Sequence, residues 1–193
     1  QMLFYLPLAG SAFKKIYYDE IMQRTVSKFV PADDLVVPYT ATSLDDCESI
    51  IHMVRMTENE LRKQQVGGFY RDIELNPAHL NETETEAKER RLEGMTKGRD
   101  ERMFTILECH ISLDLEGFED MGKDGQPTGI KLPYIVSIEE STRQILSIRR
   151  NFEMNDPMKN KIDYFVHFKF LPGLGFYGFG LIHMIGGLSR TAT

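Results

Sequence analysis

KIDYFVHFKFLPGLGFYGFGLIHMIGG, residues Lys161 to Gly187, gathers 6 of the chain's 15 glycines and 7 of its 12 Phe and 8 Tyr residues. From Ile162 to Phe170 the side chains Ile162, Tyr164, Val166, Phe168 and Phe170 recur at every second position, the period of a strand with one face buried. Pro172 ends that strand, since proline brings no amide hydrogen to a ladder. Gly173, Gly175, Gly178 and Gly180 follow at short intervals with Phe176, Tyr177 and Phe179 among them, so a permissive backbone carries bulky apolar groups. Leu181, Ile185, Leu188 and Ala192 then sit at helical spacing. The unit reads as strand, aromatic glycine turn, helix.

Within it GLGFYG, Gly173 to Gly178, matches G-x-G-x-x-G in the place a dinucleotide fingerprint would take, after a strand and before a helix. A phosphate loop also needs a ribose-binding acid further on and a parallel β-α-β setting. Neither is seen here, and bulky aromatics between the glycines would crowd a pyrophosphate while offering apolar area to bury. The expectation is a packing or interaction turn, with a nucleotide-binding enzyme domain as the alternative.

Working outward, 193 residues with 41% hydrophobic and 27% charged composition suit a folded protein with a sizeable core. A net charge of −6 argues against a general nucleic-acid binder, which would carry a basic surface. No apolar run reaches the length of a membrane span, and Cys47 and Cys109 are too few and too far apart for a disulfide framework. Both are expected as small core or strand residues. Neither end reads as a natural terminus, so the chain is expected to be a piece of something longer.

The pattern divides into three parts. Residues 1–75 read as a small β region with one capped helix. Met2 to Leu8 is an apolar run expected to be buried; Lys15 to Ile21 and Val26 to Val30 form a hairpin; Leu35 to Val37 and Ser49 to Met56 are extended. Thr57 and Glu60 have the spacing of a capping box, predicting a helix from Glu58 to Val66 that Gly67 and Gly68 close. Residues 76–102 are a charged excursion: Glu82 to Arg102 holds seven acids and six bases, which suits a solvated helix or mobile segment and not a core. Residues 103–193 are expected as an antiparallel meander leading into a helix. Its four strands would be Met103 to Leu113, Ile130 to Ile138, Gln144 to Arg149 and Ile162 to Phe170, joined by connections too short for crossover helices. The fold class is α+β, an antiparallel β-meander with a few short helices.

Candidate chemistry is sparse. In ECHISLD, Cys109 points opposite to Glu108 and His110 on a strand, so no local metal cluster forms and His110 reads as a strand-face histidine. The acids Asp114, Glu116, Glu119, Asp120 and Asp124 do not follow the EF-hand order and read as a solvated loop. His167 and His183 flank the glycine turn, and Asp163 lies nearby in sequence, yet no nucleophile context accompanies them. The sequon Asn81-Glu82-Thr83 carries no weight without a secretory signal. No catalytic, cofactor or metal residue is assigned. Arg149, Arg150, Lys159 and Lys161 form a basic cluster around one turn, and with Phe176, Tyr177 and Phe179 are the candidate subunit-contact residues.

Four running words, FVPADDLVVPYTATSLDDC, MTENELRKQQVGGFYRDIEL, LPYIVSIEESTRQILSIRR and YFVHFKFLPGLGFYGFGLIHMIGGLSRTAT, resemble the portal proteins of tailed bacteriophages, the head-to-tail connectors. Together they cover much of Phe29 to Thr193, and the last is the most specific. The resemblance implies a protomer of a homo-oligomeric ring, usually of twelve copies, at the portal vertex of the virion and assembled in the host cytoplasm. Double-stranded DNA would pass through the ring during packaging and ejection. Terminase, tail adaptor and capsid proteins would be partners, and no catalytic residue, cofactor or membrane is implied. Long stem helices and a clip are absent from the sequence, so the resemblance is to the wing region.

Overall fold

The computed structural model describes residues 2–19, 23–75, 103–122 and 124–191, the last five of these by backbone alone. Helix α1 spans Met2–Ala9, followed by strands β1 (Ser11–Asp19), β2 (Arg24–Pro31), β3 (Leu35–Val36) and β4 (Ser49–Thr57). Helix α2 (Glu58–Val66), strands β5 (Met103–Leu113), β6 (Leu132–Glu139), β7 (Ile145–Arg150) and β8 (Phe165–Lys169), and helix α3 (Leu181–Thr191) complete the order. The fold is α+β, with few helices and two antiparallel sheets. One sheet has three strands in the order β2-β1-β8 and the other five in the order β3-β4-β5-β6-β7.

Five strands adjacent in sequence and adjacent in the sheet make a meander; β5, β6 and β7 are three of its four expected strands, and β3 and β4 from the 1–75 region extend it. Glu139 and Gln144 close the β6–β7 hairpin through an N–H···O bond of 3.0 Å. Arg143 turns the corner with φ of 57°, a left-handed conformation uncommon for a residue with a Cβ. Burial would raise the Glu139 carboxyl, yet donors from Thr142 and Ser141 outweigh it and hold its pKa below the ordinary value. The capping box forms as its spacing predicts: the Thr57 hydroxyl accepts from Glu60 N–H and the Glu60 carboxylate accepts from Thr57 N–H. The β1–β2 hairpin pairs Ala12 with Pro31 through to Asp19 with Arg24.

Three expectations are corrected. Ile162 to Phe170 is not the fourth strand of the meander, because β8 pairs antiparallel with β1, Ser11 opposite Lys169 and Lys15 opposite Phe165. Its faces are also exchanged: Phe165 is buried and His167 stacks in the core, whereas Ile162, Val166 and Phe170 are exposed. The opposite set carries Asp163 and Lys169 beside Phe165 and His167, so the period favours the other face, and packing of Phe165 and His167 with Phe13 and Phe176 overrides it. Met2 to Leu8 is not a buried run but most of helix α1, on which Leu3 and Phe4 stand in solvent.

The described chain forms two compact units that interleave along the sequence. One consists of Gln1–His52, His110–Tyr134 and Arg150–Thr193, the other of Met53–Cys109 and Ile135–Arg149, so 1–75 and 103–193 each contribute to both. The first unit holds a cluster of Phe13, Val30, Leu35, Ala41, Cys47, Ile50, Phe165 and Phe176, and a second of Leu132, Tyr134 and Phe152. The second unit is built on Leu61, Tyr70, Phe104, Ile106 and Leu146. Glu82 to Arg102 lies outside the described residues.

Candidate functional site

The glycine turn is where local sequence and long-range packing meet. The segment Leu8 to Ser11 runs against Leu171 to Gly180, with Phe170 N–H donating to Gly10 O at 2.9 Å and Leu171 bridged to Phe179. The two backbones touch. A Cβ at Gly180 would lie 2.1 Å from Leu8 O, one at Gly178 would lie 2.6 Å from Gly10 O, and one at Gly10 would lie 2.4 Å from Gly178 O. Gly10 also sits at φ +86°, so both space and backbone angle call for glycine there. Gly175 meets nothing within 4 Å and needs no such explanation.

Beside the crossing, His167 packs in a cluster of three rings, 4.3 Å from the centroid of Phe13 and 4.8 Å from that of Phe176, which are 6.0 Å from each other. Its Nε2 is 3.1 Å from Ser11 Oγ, which accepts from Gly178 N–H at 2.8 Å. Burial, helped by the nearby Lys169 cation, pushes the His167 pKa down to about 4, so the ring is neutral at pH 7. A serine and a histidine are thus brought together, but Ser11 is 1% exposed and tied to the Gly178 amide, out of reach of a substrate. The pair locks the turn to β1.

The same contacts decide what the glycines offer an anion. Gly178 N–H is taken by Ser11, and Gly180 N–H points to His183 Nδ1 at 3.1 Å. A pyrophosphate cradle needs such amides free, and a dinucleotide fold needs parallel neighbours where β8 has an antiparallel one.

The sequence-predicted contact residues separate. Phe176 is core, while Tyr177 and Phe179 are roughly half exposed. Arg149 belongs to the second unit, where its guanidinium stacks 3.8 Å from the Phe69 ring centroid. In the first unit Arg150 lies 5.9 Å from the Phe118 ring and 3.5 Å from Met154 Sδ. Lys159 pairs with Asp120, and Lys161 Nζ donates to Leu44 O at 3.1 Å and Asp45 O at 3.3 Å. All four bases are engaged inside the chain.

The remaining candidates are structural in their surroundings. His110 packs against Tyr164 and Phe165 with centroids 5.6 and 5.2 Å away. It lines a cavity of about 80 Å³ with Cys47, Ile50 and Asn151, room for a few waters and far below the several hundred Å³ of a nucleotide pocket. Burial raises the pKa of both Cys47 and Cys109, which keeps them as thiols with little nucleophilic character. Among the described residues no group of three or more His, Cys, Asp or Glu could hold a metal ion, and no helix is long and apolar enough to cross a membrane. An open apolar groove of about 340 Å³ lies along Leu8, Leu181, Ile182, Ile185 and Gly186.

The exposed methionines Met121, Met154 and Met158 escaped sequence reasoning, because nothing local separates a methionine left in solvent from one that fills a core. Comparison with protein-family models and with curated proteins gives no match.

Proposed function

We propose that this chain is the wing-like part of a phage portal protomer, a structural subunit of the ring through which the genome is packaged and ejected. The observation that carries the reading is the run of portal-like words ending in Tyr164 to Thr193, in which Gly178 and Gly180 pack against the backbone of Leu8 to Gly10 and Phe176 enters the core. An assembly role is supported by the large apolar side chains left exposed on the first unit. Leu3 and Phe4 of α1, Ile182 and Ile185 of α3, and Tyr177 and Phe179 of the turn all remain exposed. Subunit contact in this reading uses Tyr177 and Phe179; Phe176 belongs to the core, and Arg149, Arg150, Lys159 and Lys161 act through their own chain.

A ring closes through a heterologous interface, in which one patch of each subunit meets a different patch of the next. Terminase, tail adaptor and capsid proteins are the partners that follow from the reading, with DNA passing through the channel at the virion's portal vertex. The alternative, a nucleotide-binding enzyme domain centred on GLGFYG, has less support, since the Gly178 amide is taken by Ser11 and the strand beside β8 is antiparallel. The test is mass measurement and negative-stain imaging of the full-length protein under capsid-assembly conditions. Closed rings of about twelve copies are expected. A monomer or dimer under those conditions removes the portal reading.

A further inference from the structure

Ser11 joins β1, β8 and the glycine turn through one hydroxyl. Its Oγ accepts from Gly178 N–H at 2.8 Å and lies 3.1 Å from His167 Nε2. Because Ser11 is 1% exposed, its hydroxyl proton has to find an acceptor inside the protein, and His167 Nε2 is in reach. That fixes the state of the ring. Neutral His167 carries its proton on Nδ1 and turns the Nε2 lone pair toward Ser11, whose own lone pairs are left for Gly178. The donations run one way, from Gly178 N–H to Ser11 O–H to His167 Nε2.

A proton added to the ring reverses one link. Protonated His167 has a donor at Nε2, so Ser11 Oγ meets donors from both sides and its own buried proton loses its acceptor. The charged groups around the ring do not compensate. On β8 itself Lys169, which donates to Gly175 O of the turn at 3.4 Å, is a second cation and opposes the first. From β1 the ring meets Ser11 and Phe13, with Lys15 one row further along over the Phe165 ring. From the turn it meets Phe176, beside which the Tyr177 phenol is held neutral by burial, as is the Cys47 thiol of the same core cluster. Asp33 acts on the Tyr177 hydroxyl.

We propose that His167 and Ser11 form a proton-operated latch on the glycine turn: the neutral ring holds Leu171 to Gly180 shut against β1, and the protonated ring releases it, taking Phe176 out of its stack with His167 and Phe13. The opening is local, with the β1–β2 hairpin and the β8 ladder kept. The latch goes beyond the portal reading and does not depend on it.

Its direction follows from the ring's two environments. Closed, His167 takes a proton only near pH 4; open, it returns to the ordinary 6.5, so acid favours the open form. From pH 7 to pH 5 the open fraction should rise roughly 20-fold.

Amide hydrogen exchange followed by NMR, corrected for the intrinsic pH dependence of exchange, reads that fraction at Gly178. Protection of this amide should fall roughly 20-fold between pH 7 and pH 5. At pH 5 it should be at least tenfold below that of the β1–β2 ladder amides and insensitive to low urea, as local opening requires. The 15N shifts of His167 at pH 7 should show a protonated Nδ1 and a bare Nε2. In His167→Gln, whose amide oxygen can accept from Ser11 but does not titrate, protection at Gly178 should change less than threefold over the same range. Unchanged Gly178 protection in the parent, equal protection at Gly178 and in the β1–β2 ladder at pH 5, a proton on Nε2 at pH 7, or the parent's pH dependence in His167→Gln would each overturn the proposal. The first three are read on the parent chain, so the test stands even if the variant does not fold.

Discussion

The glycine crossing and the methionine-bearing loops both place large apolar side chains on irregular backbone, and they dispose of them in opposite ways. At Leu8 to Ser11 and Leu171 to Gly180 the two backbones touch, so Phe176 is drawn into a stack with His167 and Phe13. At 114–129 and 151–161 side-chain charges hold the loops, no glycine forces an approach between them, and Phe118, Met154 and Met158 stay out. Backbone contact specifies a core, because a packed backbone leaves its side chains few places to go. Contact through the ends of long charged side chains fixes a loop without covering it.

The strongest way to break this contrast is to give the crossing a side chain. Gly180→Ala puts a methyl carbon where Leu8 O lies 2.1 Å away, and neither partner is a flexible side chain that can turn aside. The expected loss is roughly 3 kcal/mol or more, a fall in melting temperature of roughly 6–12 °C for a chain of this size. Gly175→Ala, which meets nothing within 4 Å, should change the melting temperature by roughly 2 °C at most. Similar melting of the two variants would mean that the crossing does not hold the first unit together.

A finer break uses acid. The folded-state pKa of His167, about 4, lies below its ordinary 6.5, so between those values the unfolded chain binds more protons than the folded one. Stability is therefore fully present above about pH 6.5 and falls as pH drops toward 4. Glu139 acts in a lower window. Its folded pKa is depressed, so its contribution is present above the ordinary 4.5 and is lost as pH falls through the lowered value. Melting curves from pH 7 to 5 should fall in the parent and flatten in His167→Phe, while Glu139→Gln keeps the parent's slope over that range. An unchanged slope in His167→Phe would place the acid sensitivity elsewhere.

Sequence reveals the meander and the capping box because their determinants are local. Thr57 and Glu60 are three residues apart, and the turn between β6 and β7 takes its donors from Ser141 and Thr142 beside Glu139. The partner of β8 is not local. It lies at Ser11 to Lys15, more than a hundred residues away, and is chosen by the fit of Gly10 against Gly178 and Gly180. No periodicity within Ile162 to Phe170 encodes that fit, and for the same reason the period points to Val166 where the fold buries Phe165. Among the aromatics of the turn, Tyr177 and Phe179 are half exposed, whereas Phe176 looks the same in sequence and is core. The four bases group by sequence position, yet each finds a different partner in the fold.

The smallest expected effect sharpens the other half of the comparison. Asp120 takes part in the contact with Lys159 and also accepts from Thr128 Oγ1, and these donors hold its carboxyl below the usual range. The pair is only partly covered, with 33% of the Lys159 and 17% of the Asp120 side chain in solvent, so it still competes with water and salt and adds little to global stability. Asp120→Asn keeps the shape and a weaker acceptor while removing the charge that draws Lys159. Melting temperature should therefore stay within about a degree of the parent. The effect should appear locally, as faster hydrogen exchange at Gly122 and Thr128, whose amides bond Gln126 O and Asp120 O within the loop. Amides of β5 should exchange as before. A large fall in melting temperature would show that the loop face is as tightly bound into the fold as the glycine crossing, and exchange unchanged at Gly122 and Thr128 would show that the charge does not hold the loop at all.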